Sequence, residues 1–306
     1  TDYSVYEVMD GLQRITAISE FYKDKYSLEG LEKWPELNGR KYSTLPEQIR
    51  KGIDRRYLSS VILLRETAKT EEEAKNLKQL VFARINSGGA KLEDQESRNA
   101  QYQSPFNNML IELARENVFC EVFDIPQRTD DENLEADIIS EDLKSNSKFK
   151  TMKDAEIVLR FFAFRKLESW TDGSFSSFMD RFAKAAMSIN DEILQNYKAL
   201  YNDTIKLAYD IFQENTFCMW RENKISGKYS WSKNPTMVIY DPMMCSLSAL
   251  LQYSEHLVRK REAIISAVQE LFSSDDEFKS GRNTSSSNIK KRIESLNKMF
   301  TQILKI

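Results

Sequence analysis

Apolar residues recur every three or four positions along much of the chain, a spacing that predicts amphipathic helices. The longest stripe runs through residues 191–213, and a similar one runs through residues 289–303. Ser104 and Pro105 are typical of a helix start, because serine caps the first turn and proline is tolerated in it. From residue 151 onward the pattern predicts almost only helices, so residues 151–306 are predicted to form a helical domain.

The first part of the chain mixes strand and helix patterns. Residues 3–9 and 58–64 are rich in β-branched and other apolar side chains, which predicts strands, and residues 12–22 have helical spacing. Residues 125–150 are polar and acidic, which predicts a linker or an exposed insertion. The pattern therefore predicts an α+β protein, in which a mixed domain (residues 1–124) precedes the helical domain.

The composition argues against several classes of protein. The 306 residues include 44 basic and 47 acidic side chains, which argues against polyanion binding by the whole surface but leaves room for a local basic groove. Three widely spaced cysteines argue against a disulfide framework or a zinc site and fit a reducing, cytoplasmic location. No apolar run is long enough to span a bilayer. The single histidine, His256, is expected on a helix surface and gives no metal-binding nuclease finger.

The run Asp10-Gly11-Leu12-Gln13-Arg14 lies where the first predicted strand leads into a helix. Backbone N–H groups at such a turn attract anions, and glycine lets a ligand approach closely. The planar guanidinium of Arg14 can donate two parallel hydrogen bonds to a phosphate. A structural interpretation stays open as well, in which Asp10 caps the helix and Arg14 forms a surface ion pair.

A second glycine-containing turn, Asn86-Ser87-Gly88-Gly89, ends a helix that is predicted to begin at a capping box in residues 70–73. Its glycines suit a helix C-cap, and their N–H groups can also bind an anion. The polar run Glu96-Ser97-Arg98-Asn99 follows it. These last side chains lie within one helical turn, so they are candidates for the same pocket.

Together the two turns resemble the GmrSD-type restriction endonuclease N-terminal domain family. That family has the motif D-G-Q-Q-R-L-T, then a phenylalanine, an R-x-N-x-G-G stretch and an E-x-R-N run. This chain has DGLQRIT, Phe82, RINSGG from Arg84 and ESRN from Glu96, and residues 152–163 are also similar. The similarity is expected to extend from residue 3 to about Leu247. Because the chain begins directly on the motif strand, we expect an N-terminal part of the domain to be missing.

The resemblance implies a ParB/sulfiredoxin-like core and a site for a nucleoside triphosphate with Mg²⁺ or Mn²⁺. Asp10 would bind the metal or act as a base, Gln13 would orient water, and Arg14 would neutralise phosphate. The expected catalytic residues are Asp10, Gln13 and Arg14; the expected nucleotide-binding residues are Gly11, Arg84, Asn86, Gly88, Gly89, Arg98 and Asn99; the expected metal ligands are Asp10 and Glu96. Asp10, Gln13 and Arg14 are expected to line one cavity with Asn86 and Arg98.

The function that the resemblance implies is NTP binding and hydrolysis in DNA restriction or anti-phage defence, with DNA nicking as a further activity of the same core. The expected partners are an NTP, DNA, and a nuclease domain or subunit. The alternative is a non-catalytic module that senses a nucleotide or modified DNA and controls a separate nuclease. Leu12, which stands in place of the first motif glutamine, favours this alternative. A purely structural fragment is a third alternative, against which the DGLQR turn argues.

The remaining charged residues are interpreted structurally. Glu156 and Arg160, with Asp154 beside them, are predicted to form an internal ion pair that holds the helical part against the first domain. Residues 273–288 are predicted to be a solvated loop, and residues 290–292 to lie on a solvated helix face. Lys279 and Arg282 of that loop could alternatively clamp a phosphate backbone. The expected DNA contacts, which should weaken steeply with salt, are Arg84, Arg98 and Lys279.

Overall fold

A computed structural model of the chain describes residue 8 and residues 11–58, 93–134, 138–223, 227–279 and 285–305. Of the residues that the structure describes, 67% are helical, and these residues also include a small two-stranded antiparallel sheet. It forms two compact units, residues 1–91 and residues 92–306. The predicted capping box at residues 70–73, and all but one residue at the edge of each predicted strand, lie outside the described residues. Within the described ranges, no helix has the length and apolar character that crossing a membrane requires.

The first unit, where it is described, is built on two α-helices around a small core. These are α1 (Leu12–Tyr22) and α2 (Glu47–Asp54), with 3₁₀ turns at Pro35–Leu37 and Tyr42–Thr44. The core consists of Phe21, Leu37 and Leu45, and Ile49 and Ile53 of α2 pack against it. Because Ile49 and Ile53 are four residues apart, they share one face of α2. The opposite face of α2 is polar.

A hydrogen-bonded cluster joins α1 to α2. The hydroxyls of Tyr22 and Tyr42 both donate to Oδ1 of Asp54, at 3.0 and 2.6 Å. The centroids of the two tyrosine rings lie 4.4 Å apart. The hydrogen bond to Asp54 raises the pKa of Tyr42 to about 12. The cluster fixes the two helices relative to each other and so supports the backbone turn at the start of α1.

The second unit consists of helices around one hydrophobic core. Its helices are α3 (Asp94–Gln101), α4 (Pro105–Leu113), α5 (Asn117–Phe123), α6 (Glu141–Ser145), α7 (Ser147–Lys150), α8 (Lys153–Phe164), α9 (Phe175–Ala186), α10 (Asp191–Phe212), α11 (Met237–Ser248), α12 (Ser254–Arg259), α13 (Arg261–Ser274), α14 (Asp276–Lys279) and α15 (Ser286–Leu304). Between α10 and α11 lies a hairpin of β1 (Trp220–Glu222) and β2 (Tyr229–Trp231). α11 packs against α8, α10 and α15.

The helix starts and stripes predicted for this unit are confirmed. The side chain of Ser104 accepts a hydrogen bond from the N–H of Asn107 at 3.2 Å, and Pro105 opens α4. α10 buries most of its predicted stripe, with Tyr201 0% exposed. Ile193 is an exception at 40% exposed, because it lies in the first turn of α10, beside rather than on the buried face.

The segment predicted as a linker or exposed insertion, residues 125–150, contains α6 and α7. Ile125 and Leu143 from this segment belong to the core of the second unit. Glu132 accepts hydrogen bonds from Nε and Nη2 of Arg115, at 2.9 and 2.8 Å, and both side chains are buried. The compact units divide at residue 91, ahead of the predicted boundary at residue 124, because α4 already packs against α8 and α10.

The prediction of a solvated loop over residues 273–288 is wrong for its middle part. Residues 276–279 form α14, and Phe278 is 1% exposed with its ring centroid 4.8 Å from that of Phe272. The solvated face predicted at residues 290–292 is also wrong at Arg292, which is 2% exposed and donates from Nε to the Glu277 carbonyl at 2.9 Å. The aromatic contact and this hydrogen bond hold α14 against α13 and α15.

Candidate functional site

The described part of the Asp10–Arg14 turn opens α1. Gly11 occupies the N-cap position with φ of 91°, a left-handed conformation that glycine adopts without steric cost. The N-cap is therefore Gly11, and the interpretation that made Asp10 the cap is wrong. Gly11 provides no side-chain cap, and the first turn of α1 contains no acidic residue. Its first N–H groups have no acceptor within the helix, as at every helix start.

The guanidinium of Arg14 lies against Gly11. A Cβ atom at position 11 would be 3.3 Å from Nη2 of Arg14. Arg14 also places a cation in the first turn of α1, where the helix dipole disfavours positive charge by roughly 0.3–1 kcal/mol. An anion bound at the same helix end would offset this unfavourable effect.

The neighbours of Arg14 in the motif are exposed. Leu12, which stands where the family has glutamine, is 66% exposed, and Gln13 is also exposed. The core of this unit therefore does not require either side chain. The other residues of the expected site lie outside the described residues: Asp10, Arg84, Asn86, Gly88 and Gly89. The shared cavity stays a prediction.

The Glu96–Asn99 run forms part of α3 in the second unit. The Glu96 carboxylate accepts a hydrogen bond from the N–H of Glu93 at 2.8 Å, which completes a capping box. The side chain of Asn99 accepts a hydrogen bond from that of Asn107. Both motif side chains thus have partners within their own unit, and their roles toward a metal or a nucleotide stay predictions.

Arg98 is the centre of a buried polar network in the second unit. The side chain is 2% exposed and donates from Nε to Oδ1 of Asp180 at 2.7 Å. It also donates from Nη1 to Glu156 at 3.2 Å and from Nη2 to Oγ of Ser176 at 2.9 Å. These partners belong to α8 and α9, so one guanidinium joins α3 to two other helices. Its predicted contact with a nucleotide or with DNA stays a prediction.

The internal ion pair predicted for the third motif is present, but the partners differ. Glu156 pairs with Arg98 and with Lys153, whereas Arg160 pairs with Asp241 of α11, with Nε 2.9 Å from Oδ1. The direct pairing of Glu156 with Arg160 is therefore wrong. The reason is that Glu156 faces α3 while Arg160 faces α11, so each finds an opposite charge on a different helix.

Asp154, the first acid of this motif, is a buried carboxyl with a raised pKa. The residue is 5% exposed, and its Oδ1 accepts the N–H of Ala155 at 2.8 Å. Burial raises the pKa of Asp154 to about 6, against the opposing effects of that hydrogen bond and of Arg115. The folded state therefore favours the protonated carboxyl over a pH range in which the unfolded state is ionised.

This raised pKa has a measurable effect on stability. As pH rises from about 4 to about 6, the unfolded chain releases a proton that the folded chain retains, so the free energy of unfolding falls by up to about 3 kcal/mol. We expect Asp154→Asn to be more stable than the parent at pH 7.5, with a smaller difference at pH 4.5, in urea denaturation. The exposed Asp203→Asn is the control. Equal effects of the two substitutions would contradict this assignment.

The described residues also show where the cysteines and the histidine lie. No three His, Cys, Asp or Glu side chains among the described residues are grouped to hold a metal ion. Cys120, Cys218 and Cys245 are free, which agrees with the expected absence of a disulfide framework. His256 is exposed on α12, as predicted.

A groove beside the β1–β2 hairpin was not identified by the hydrophobic pattern. It has a volume of about 400 Å³ and is bordered by Arg221, Ser230, Trp231 and Lys233. Two strands of three residues are too short for an alternating pattern to stand out. The signal that identifies this segment is the mixture of aromatic and basic residues in residues 219–236.

The described part of the chain is mostly helical, and its first helix begins at a left-handed glycine. Residues 1–103 match the family model described as GmrSD restriction endonuclease, N-terminal domain. The predicted resemblance to that family is confirmed over these residues. The match includes both the DGLQR turn and the ESRN run, and it supports a role in restriction or defence. Comparison with curated proteins and with solved structures finds no match.

Proposed function

We propose that the chain is the NTP-binding and hydrolysing component of a DNA restriction or anti-phage defence system. The observation that carries the proposal is the start of α1, where the Arg14 guanidinium lies against a left-handed Gly11 and Gly11 itself offers no side-chain cap. An anion at this point would interact favourably with the helix dipole, with the N–H groups and with the guanidinium. The family match over residues 1–103 supports a role in restriction or defence. The nucleotide phosphate and the ParB/sulfiredoxin-like core that would bind it are part of the proposal.

The proposed chemistry assigns a role to each residue of the first motif. Arg14 neutralises the charge that develops on the transferred phosphoryl group, and Gln13 orients the attacking water. Asp10 acts as the base or would hold Mg²⁺, which would neutralise part of the phosphate charge. Arg84, Asn86, Gly88 and Gly89 form the proposed second anion-binding turn.

The α3 residues Glu96, Arg98 and Asn99 could bind a ligand only by breaking their present interactions. For Arg98 to bind a nucleotide directly, its guanidinium would have to leave Asp180 and Glu156, its present partners. Removing one partner of a buried charge pair costs on the order of 3–5 kcal/mol. Glu96, as a second metal ligand, would have to leave the N–H of Glu93, and Asn99 would have to leave Asn107. The proposal therefore depends mainly on the first motif.

The wider function is proposed from the family. DNA is the proposed substrate of the system. It is nicked by this core or cut by a nuclease domain or subunit. The proposed location of the protein is the cytoplasm. The second candidate is a module that binds a nucleotide or modified DNA and controls a separate nuclease without turnover. The observation that favours it is Leu12, which is 66% exposed where the family motif has an amide side chain that could take part in chemistry.

The proposal is tested by comparing two glycine substitutions in the full chain. Gly11 and Gly39 both have left-handed φ values, 91° and 80°, so an alanine costs roughly 1–2 kcal/mol of backbone strain at either position. Only at position 11 would the added Cβ contact Arg14, since nothing lies within 4 Å of it at position 39. We expect Gly11→Ala to weaken Mg²⁺-dependent NTP binding and phosphate release about tenfold or more, and Gly39→Ala to leave both unchanged.

The outcomes separate the two candidate functions. NTP binding without phosphate release, in a chain that is folded, would favour the sensing module over the hydrolase. Binding that is equal in Gly11→Ala and Gly39→Ala would remove the α1 turn from the site. A chain that binds no NTP with or without Mg²⁺, in a titration that detects a known nucleotide-binding protein, would overturn both candidates.

A further inference from the structure

The β1–β2 hairpin carries aromatic side chains in register. Trp220 and Trp231 are direct cross-strand partners, and their ring centroids lie 5.2 Å apart. The Tyr229 ring stacks on Trp220 at 6.2 Å and is 44% exposed. Both tryptophans pack partly against the core of the second unit, so the hairpin presents half-buried rings in a fixed position. Fixed rings lose little entropy when a flat ligand stacks on them.

Charged and hydroxyl-bearing side chains surround these rings. The groove of about 400 Å³ is bordered by Arg221 and Lys233, by the hydroxyls of Ser230 and Ser232, by Glu222 and by Trp231. Arg221 and Lys233 are exposed, and neither forms an ion pair with another described residue. The groove therefore brings together two cations, two hydroxyl groups, one carboxylate and the indole-bearing Trp231.

The charge of the hairpin is opposite to that of its unit. Residues 92–306 carry 28 basic and 33 acidic side chains, whereas residues 219–236 carry four basic side chains and one acidic side chain. A local basic segment within an acidic unit selects anions at one place and repels them elsewhere. This segregation fits a specific contact with a polyanion better than general attraction to one.

We propose that this groove binds an unstacked nucleotide of a single DNA strand, with the base against Trp231 and the flanking phosphates on Arg221 and Lys233. Base stacking on aromatic rings combined with a basic track for the backbone is the way in which single strands are held without sequence preference. The groove has the size of a small-ligand site and is too small to enclose a duplex. The inference rests on the DNA part of the proposed function, and it is independent of NTP hydrolysis.

The tryptophans would also serve a structural purpose, because cross-strand aromatic pairs stabilise hairpins. That purpose explains Trp220 and Trp231, but it does not explain Arg221 and Lys233. Both of these are exposed, and neither forms an ion pair within the described part of the chain, so cross-strand packing does not account for them. The test must therefore change the charges and leave the rings in place.

The experiment measures the binding of a fluorescently labelled oligothymidylate strand to the full chain by anisotropy, from low to physiological salt. The double variant Arg221→Ala/Lys233→Ala is expected to bind about tenfold more weakly or worse. Its plot of log affinity against log salt should be shallower by about 1.4, since each phosphate contact on a single strand contributes about 0.7. The matched control is Lys166→Ala/Lys184→Ala, which removes two exposed charges on α9 and before it.

Three further measurements decide the interpretation. Trp231→Phe should retain the fold by circular dichroism and lose part of the affinity, because the smaller ring stacks less well. Thymidine monophosphate should bind at least tenfold more weakly than the strand, and a duplex competitor should displace the strand poorly. A mononucleotide that binds as tightly as the strand, or equal losses in the hairpin and control variants, would overturn the proposal.

Failure of this inference is distinguishable from failure of the proposed function. If the parent binds the strand but the hairpin variants bind it equally well, DNA contact exists elsewhere and only the hairpin assignment falls. If the parent hydrolyses NTP but binds no strand at low salt, the hairpin inference falls and the hydrolase stands. If the strand binds at the hairpin but no NTP is bound, the nucleotide site at α1 falls.

Discussion

Replacement of Arg14 by alanine is expected to lower NTP turnover by about a hundredfold or more while leaving the stability of the chain nearly unchanged. The size follows from the loss of one donor that stabilises developing charge, which commonly costs two to three orders of magnitude in rate. Stability should hold, because Arg14 is exposed and interactions of exposed charges contribute little to stability. The measurement is steady-state phosphate release with Mg²⁺, alongside thermal unfolding.

Two variants make this prediction specific. Arg14→Lys keeps the charge but loses the planar fork, so it should recover only part of the activity. Arg55→Ala removes another exposed arginine of the same unit, immediately after α2, and should leave turnover unchanged. Equal turnover in Arg14→Ala and the parent would remove this side chain from the mechanism. Equal losses in Arg14→Ala and Arg55→Ala would indicate a general charge effect.

Replacement of Asp241 by alanine is expected to destabilise the second unit by about 3–5 kcal/mol. Asp241 is 3% exposed on α11, and it accepts two hydrogen bonds from Arg160, which is 6% exposed. The Arg160 guanidinium also lies 4.6 Å from the centroid of the Phe175 ring, which covers one of its sides. Without Asp241 the arginine would remain charged and buried with no direct partner. Chemical denaturation would show the change as a lower midpoint.

The control for Asp241 is an exposed ion pair. Glu255 and Arg259 are i,i+4 partners on α12, 3.1 Å apart, and both are largely exposed. Glu255→Ala should therefore hardly change the midpoint. A second test replaces both buried partners, Arg160→Met and Asp241→Leu, and should recover most of the lost stability, because no uncompensated charge remains. If Asp241→Ala were as mild as Glu255→Ala, the buried pair would not be holding α8 to α11.

Helix positions were predictable because they follow from local spacing and from caps. α1 has the predicted bounds, and Ser104 with Pro105 opens α4, since a cap depends only on neighbours in sequence. The partners of charged side chains were not predictable in this way. Arg160 has a helical neighbour of opposite charge at Glu156, yet it pairs with Asp241, which is 81 residues away in sequence. Such a pairing depends on which helices pack together in the folded protein, and the spacing of residues along one helix does not reveal this.

The geometry of the candidate site was only partly predictable, and its chemistry stays a prediction. The glycine and arginine of DGLQR indicate an anion site, and the structure places a left-handed Gly11 beside Arg14. The capping role was assigned to Asp10, one residue too early, because acids are common caps and a glycine cap leaves no side-chain signal. The hairpin groove was missed for a different reason: Trp220 and Trp231 meet only after the turn between them is formed.

The geometry of Arg98 has a consequence for how its motif is interpreted in other sequences. Its guanidinium donates to Asp180, Glu156 and Ser176 through three different nitrogens, an arrangement that suits a planar guanidinium better than the single nitrogen of a lysine. The assembly of α3, α8 and α9 is thus sufficient to explain an arginine at this position without any nucleotide chemistry. An E-x-R-N run in a related sequence would therefore be weak evidence for hydrolysis, and the glycine and arginine of the first turn would be the residues to compare.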